Sequence, residues 1–183
     1  MNDRRRFPHR VLNRISAAAA LVCAGLTLAS SAGAVDLRDW GKKYPASERF
    51  VVLSQFNNQA VLDKETQLVW QRTPSPSMVA PRGSAAFACA THSTGGRLGW
   101  RLPFLHEMQS LADPAATLGS LALPAGHPYL SVPIGHYWTA TRISGQTTGA
   151  IVDLGSRGHN KGKYIVDPAY YWCVRSGGPG GEI

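Results

Sequence analysis

The sequence has no apolar run beyond residue 30 that is long enough to cross a bilayer, and only three cysteines in 183 positions. The first absence excludes a body built of membrane-spanning helices; the second excludes a disulfide-dense miniature scaffold. No internal repeat and no heptad pattern is present, which excludes a solenoid and a coiled coil. Motifs of catalysis are missing as well. There is no G-x-S-x-G elbow to present a serine, and no glycine-rich phosphate loop between a strand and a helix. His92, His106, His127, His136 and His159 never pair at the i, i+4 spacing that sets two imidazoles on one helix face for a metal. Asp63, Glu107, Asp113, Asp153 and Asp167 are scattered, without the spacing of a glycosidase carboxylate pair. These absences point away from an enzyme, and they call for no metal and no other cofactor.

Acidic residues are also scarce: 11 Asp and Glu stand against 19 Lys and Arg, a formal net charge of +8. Much of that excess sits at the N-terminus. Arg4, Arg5, Arg6, Arg10 and Arg14 precede the uncharged stretch Ile15 to Ser30, and Ala32-Gly33-Ala34 follows with the small residues a signal peptidase accommodates. Residues 1–34 therefore read as a signal peptide cut between Ala34 and Val35, with no membrane span left after cleavage. Arg4-Arg5-Arg6-Phe7 fits a loose twin-arginine pattern, but a basic leader yields that by chance, so Sec export is the preferred reading. Cys23 follows Leu21-Val22 and not a small residue, so it belongs to the apolar run and leaves with it. Cleavage removes five of the 19 basic residues and one of the 11 acidic ones, leaving 14 against 10, a net +4. A mildly basic mature chain gives no reason to invoke nucleic acid. The expected location is periplasmic or secreted.

Of 183 residues, 149 then remain, the size of one ordinary domain. Residues 35–48 read as a polar N-terminal strap, 49–176 as the folded domain, and 177–183 (GGPGGEI) as a flexible tail. Arg49 to Ser54 suits a strand, and Gln59 to Asp63 with Gln67 to Arg72 flank Lys64-Glu65-Thr66 as a β-hairpin. Thr73 to Pro81 holds three prolines and is a loop. Ser84 is the expected cap of a helix through Ala85 to Ala90. Pro103 is the expected first position of a second helix, with Leu105, Met108, Leu111 and Ala112 on one core-facing stripe. Ala115 to Pro133 lacks a period and predicts an irregular excursion. Tyr137 to Thr141, Ala150 to Leu154 and Tyr170 to Arg175 are the closing strands. Two helices with strands on either side give an α+β domain. Cys89 and Cys173, the pair that survives cleavage, are expected to form a disulfide between the first helix and the last strand, ahead of two separate buried thiols.

Four segments together carry a family resemblance. Val61-Leu62-Asp63-Lys64-Glu65-Thr66-Gln67-Leu68-Val69-Trp70 resembles a "V-x-D-x-x-T-G-L-x-W" hairpin. Trp100-Arg101-Leu102-Pro103, followed by Glu107 and Ser110-Leu111, resembles "W-R-L-P-x-x-x-E-L-x-S-L". Tyr137-Trp138-Thr139-Ala140-Thr141 resembles "Y-W-S-S-T", and Cys173-Val174-Arg175 a closing "C-V-R". In this order the chain, over roughly residues 50 to 176, resembles the Lcl C-terminal domain family. Gln67 departs from the turn glycine and Ala140 from a serine. The resemblance implies a fold similar to C-type-lectin-like and formylglycine-generating-enzyme domains: small twisted antiparallel sheets, two helices and long loops. It marks Asp63, Trp70, Trp100, Arg101, Pro103, Trp138 and Arg175 as structural positions. The family's best-known member is a collagen-like surface adhesin whose domain is trimeric and binds sulfated glycans. This chain has no collagen repeat. An oligomer is compatible with the resemblance.

Two basic features remain. Arg101, after Trp100 and ahead of a helix, reads as a guanidinium paired with a carboxylate and stacked on an aromatic, ahead of a ligand contact. Ser156 to Lys163 (SRGHNKGK) reads as a loop on which Arg157, His159, Lys161 and Lys163 concentrate charge and donors, with Arg142 on a neighbouring strand end. Such residues suit sulfate or phosphate groups. The expected function is an exported, non-enzymatic binding module for anionic polysaccharide, with contact to another envelope protein as the alternative.

Overall fold

The computed structural model describes residues 44–79, 81–143 and 147–177, all within one compact unit. The expected signal peptide and Ala34–Val35 cleavage point, residues 35–43 of the expected strap and residues 178–183 of the expected tail lie outside the described residues. In chain order the elements are α1 (Ala46–Arg49), β1 (Phe50–Leu53), β2 (Ala60–Asp63), β3 (Leu68–Gln71), α2 (Arg82–Thr91), α3 (Leu105–Leu111), β4 (His136–Arg142), β5 (Thr148–Asp153), β6 (His159–Tyr164) and β7 (Val174–Ser176). They form two antiparallel sheets, ordered β1-β2-β3-β7 and β4-β5-β6. The fold is α+β, as the element pattern implies. No helix among the described residues is long and apolar enough to cross a membrane.

Central strands bury both faces, which explains their continuous apolar runs. From β3, Leu68 and Trp70 join a core with Met108 and Leu111 of α3, while Val69 faces a second core with Ala85 and Cys89 of α2. In β4 and β5, Tyr137 and Val152 join the first core, and Trp138 and Ile151 the second. Trp172 sits in the middle of the first core. It meets Trp70 and Tyr129 edge-to-face at 5.7 and 4.8 Å, and its indole N–H donates to the Gln71 carbonyl at 2.7 Å. The Cys89–Cys173 disulfide is formed, with both residues fully buried, and fastens α2 to the segment entering β7. Closing a loop of 84 residues contributes about 4 kcal/mol on the chain-entropy account.

The β2–β3 hairpin keeps its turn geometry without a glycine. Gln67 takes the left-handed conformation itself, at φ +58°, and its side-chain amide donates to the Lys64 carbonyl at 2.8 Å. Asp63 organises the rest of that turn, accepting from the Glu65 N–H at 3.0 Å and the Thr66 hydroxyl at 2.9 Å. Its carboxylate also receives a two-pronged bond from Arg49, at 2.9 and 2.7 Å, and Arg49 reaches on to the Ser110 carbonyl at 2.8 Å. Burial opposes the charge on Arg49, but the hydrogen bonds and charges of Asp63 and Glu65 outweigh it and hold its pKa above the ordinary value.

Five expectations need correction. Ser84 does not cap α2: the helix starts at Arg82 with Pro81 before it, and the Ser84 N–H donates to the Pro81 carbonyl. Pro103 precedes the first turn of α3 by two positions, and its carbonyl accepts the Ala140 N–H at 2.7 Å. Tyr170 to Arg175 is not one strand. Ala169 and Tyr170 make single bridges, and the ladder begins only at Val174, because Trp172 and Cys173 turn into the two cores. Finally, most of Ser156 to Lys163 is not a loop but β6, an exposed edge strand paired with β5 from Asp153↔His159 to Thr148↔Tyr164. Ala46 also differs from a simple polar strap: it is buried against the first core.

Asp63 is fully buried, so removing it takes away the buried counter-charge of Arg49 and leaves its guanidinium to the more exposed Glu65 carboxylate, at 2.9 Å, and the Ser110 carbonyl. An Asp63→Ala substitution is expected to cost about 3–5 kcal/mol, read as the fall in unfolding free energy by chemical denaturation.

Candidate functional site

Strand β6 carries its charge in register. His159, Lys161 and Lys163 occupy alternate positions and so share one face. Their partners on β5 are Asp153, Ile151 and Gly149, and the partners of those on β4 are His136, Trp138 and Arg142. The last row needs a bulge: between Trp138 and Arg142 the β4–β5 register shifts, which brings Arg142 opposite Gly149. Arg142 and Lys163 thus stand two strand spacings apart, about 10 Å, with a glycine between them.

The gap over Gly149 is filled by a third cation. A Cβ at Gly149 would lie 2.7 Å from Cδ and 3.2 Å from Nε of Arg82, and 3.2 Å from the Trp138 ring. Arg82 is held there by its Nη1, which donates to the Thr139 and Ala140 carbonyls at 3.0 and 3.3 Å. Partial burial lowers its pKa, and the positive charge of Arg142 adds to that. Among the described residues neither Arg82 nor Arg142 forms an ion pair. The lysines of the strip are loosely matched, Lys161 to Asp153 and Lys163 to Asp167, each at 3.8 Å. Sequence reasoning missed Arg82, which lies in the first turn of α2, far along the chain. The available signal was Gly149, since a glycine inside a strand marks close approach by another group.

Of the residues expected to bind, Arg142, Lys161 and Lys163 come together along this strip, with His159 at its far end. Arg157 does not join them. It adopts φ +57° in the β5–β6 turn, and its Nε donates to the Ala116 carbonyl at 2.7 Å. With Gly158 and His159 it lines a separate depression of about 430 Å³ against Gln109, Ala112 and Pro114. The close approach of the chain to Ala112 requires the glycine at 158, since a Cβ there would collide with the Ala112 side chain.

The other singled-out residues are engaged inside the fold. Arg101 forms a fork with Glu107, both bonds at 2.7 Å, and lies 5.1 Å from the Phe104 ring centroid. Glu107 also accepts the Phe104 N–H at 2.7 Å, reaching back across the start of α3. The indoles of Trp100 and Trp138 donate to the Arg97 and Val79 carbonyls, and Trp70 is fully buried in the first core. Arg175 lies over the Phe56 ring at 5.6 Å. No group of three or more His, Cys, Asp or Glu side chains among the described residues is arranged to hold a metal ion.

Three titrations set the response to pH. Burial works against the charge of Glu107, but the Arg101 fork and the Phe104 N–H outweigh it and lower its pKa. Burial likewise opposes the charge of Asp153, and the Gly155 N–H, the Ser156 hydroxyl, His136 and Lys161 lower its pKa on balance. Burial lowers the pKa of His127. In each case the unfolded chain binds a proton at a pH where the folded chain does not, so acid favours unfolding. Stability is therefore expected to begin falling below about pH 6.5 as unfolded His127 protonates, and more steeply below about pH 4.5. Urea midpoints measured from pH 8 to 3 check this, and His127→Phe should remove the first decline alone.

None of the curated proteins matches the sequence. The model of one family, described as the Lcl C-terminal domain, matches residues 59–175. That span runs from the edge of β2 into β7 and contains the hairpin, both longer helices, the disulfide and the whole cationic strip. The chain belongs to the Lcl C-terminal domain family.

Proposed function

We propose that the chain is an exported binding module whose cationic strip recognises anionic polysaccharide, sulfated glycan above all. The observation that carries this reading is the row Arg142–Gly149–Lys163 with Arg82 laid across its middle. Three cations are drawn together over about 10 Å on a rigid sheet, and the two arginines have no carboxylate partner among the described residues. Guanidinium groups present several N–H donors in a fixed plane, which suits the oxygens of sulfate and carboxylate. The strip offers donors and fixed charge, and the carboxylates that face it among the described residues, Asp153 and Asp167, pair with Lys161 and Lys163 at 3.8 Å. That is the chemistry of capture and not of bond making. The buried disulfide supports an oxidising compartment, and with it export to the periplasm or beyond. Two small antiparallel sheets and a long irregular segment before β4 support the C-type-lectin-like reading of the fold.

A second reading, contact with another envelope protein, is favoured by one observation. Tyr164 and Val166, just past the strip, are 62% and 69% exposed.

Heparin affinity chromatography and calorimetry of the mature protein test the first reading. Retention is expected to fall steeply between low and physiological salt. The double substitution Arg142→Glu, Lys163→Glu should weaken binding tenfold or more, while Arg157→Ala leaves it unchanged. Retention that ignores both salt and the double substitution would overturn it.

A further inference from the structure

A second concavity, sharing no residue with the cationic strip, has different chemistry. It is a cleft of about 320 Å³ lined by Gln59, Arg72, Thr73, His92, Thr94 and Leu130, among others. That volume lies at the lower end of small-molecule sites, which run from about 300 to 1,000 Å³.

The lining is rich in donors that the fold leaves unspent. The Gln59 side-chain oxygen accepts the Gly95 N–H at 2.8 Å, which fixes the amide and leaves its NH₂ group available. The Thr94 hydroxyl accepts from the Gln71 amide at 2.9 Å, so its own proton points elsewhere. Arg72 spends Nε on the Pro128 carbonyl at 3.1 Å and Nη1 on the Asn58 carbonyl at 3.3 Å, and keeps its remaining N–H groups. The side chains of Thr73 and His92 are exposed and have no hydrogen bond among the described residues. Among the described residues no carboxylate lines the cleft, and Leu130, 47% exposed, supplies one apolar wall.

The cleft is also held in shape before any ligand arrives. The Arg72 N–H donates to the Gln59 carbonyl, and the Leu130 N–H to the Arg72 carbonyl, both at 2.8 Å. Gly95, at φ +62°, lies so close to Phe56 that a Cβ there would come within 2.7 Å of the Phe56 backbone. Gln71 is anchored at both ends, its oxygen accepting the Cys173 N–H at 3.1 Å. A site whose groups are already positioned loses little conformational entropy on binding.

We propose that this cleft binds a compact hydroxylated monocarboxylate of the sugar-acid type. One fixed guanidinium matches one carboxylate. The amide and hydroxyl donors match ring oxygens and hydroxyls, and Leu130 meets the C–H face of the ring. A doubly charged or sulfated group finds one permanent cation here instead of the three on the strip, and a purely apolar ligand would leave the donors unpaired.

The test is an NMR titration of the disulfide-bonded protein, following backbone amides, with D-galacturonate, D-galactose and acetate as separate probes. Galacturonate is expected to give saturable shifts at Asn58, Arg72, Thr73, Thr94 and Leu130. Galactose and acetate should bind at least tenfold more weakly, since each lacks half of the recognised chemistry. Arg72→Lys keeps the charge but loses the fork and should weaken galacturonate tenfold. Thr73→Val, on an exposed side chain that the fold does not use, should weaken it severalfold with the spectrum otherwise intact. Absence of saturable shifts, shifts centred on Arg142 and Lys163, or equal binding of all three probes would each overturn the proposal. Heparin binding by the strip is read separately and stands or falls by itself.

Discussion

The buried pairing of Arg49 with Asp63 is the constraint from which most of this fold follows. Its two hydrogen bonds, at 2.9 and 2.7 Å, join the start of the domain to the β2–β3 turn, and a third bond, to the Ser110 carbonyl, reaches the end of α3. A buried ion pair earns little net stability against an apolar substitute, but it penalises every arrangement that leaves one partner alone. Here three separate chain segments must be in place before both charges are satisfied. Asp63 closes the turn at the same time through Glu65 and Thr66, so one carboxylate serves both the turn and the pair. The position of α3 is fixed as a consequence, and α3 packs on β4, β5 and β6. The cationic strip therefore sits on a sheet whose backing is held from the opposite end of the chain.

Gln71 does for the second core what Asp63 does for the first. Its backbone N–H donates to the Cys173 carbonyl, its side-chain oxygen accepts the Cys173 N–H, and its carbonyl takes the Trp172 indole proton. The disulfide partner is thus positioned by hydrogen bonds as well as by the bridge. The remaining Gln71 amide protons face Thr94 and the polar cleft. Rigidity at the disulfide is carried directly into the wall of that cleft, with no mobile element between.

Where local pattern and burial agree, the elements were legible in the sequence. The hairpin, the Met108–Leu111 stripe and the apolar cores of β4 and β5 are all written as periodic hydrophobicity, because the cores on both sides demand it. The cysteine pairing followed from counting. β6 was not legible, since an edge strand exposed on both faces has no apolar alternation to display; HNKGKY carries only charge, glycine and a terminal aromatic. Ser84 misled because a capping residue type stood near a helix start that Pro81 had already set. At the candidate site, Lys161 and Lys163 could be found as a cluster of charge. Arg82 could not, because it reaches Gly149 only through the packing of α2 over the sheet, and nothing in its neighbours along the chain encodes that contact.

Lysines on an exposed edge strand have a second physical purpose, which bears on how much of the strip needs a ligand to explain it. An unpaired edge invites pairing with another chain, and charged side chains at alternate positions prevent it. Lys161 and Lys163 are accounted for on that ground alone. The arginines are not. Arg142 lies on β4, the opposite edge of the sheet, whose outward N–H groups at Trp138 and Ala140 already donate to the Tyr170 and Pro103 carbonyls, and its position opposite Gly149 depends on a bulge that costs ladder hydrogen bonds. Arg82 is partly buried beside it, where burial and the positive charge of Arg142 lower its pKa. Edge protection requires neither the bulge, nor the glycine, nor two guanidinium groups brought together without a carboxylate between them. It is this pair, without a carboxylate partner among the described residues, and not the more conspicuous lysines, that the proposed capture of an anion would explain.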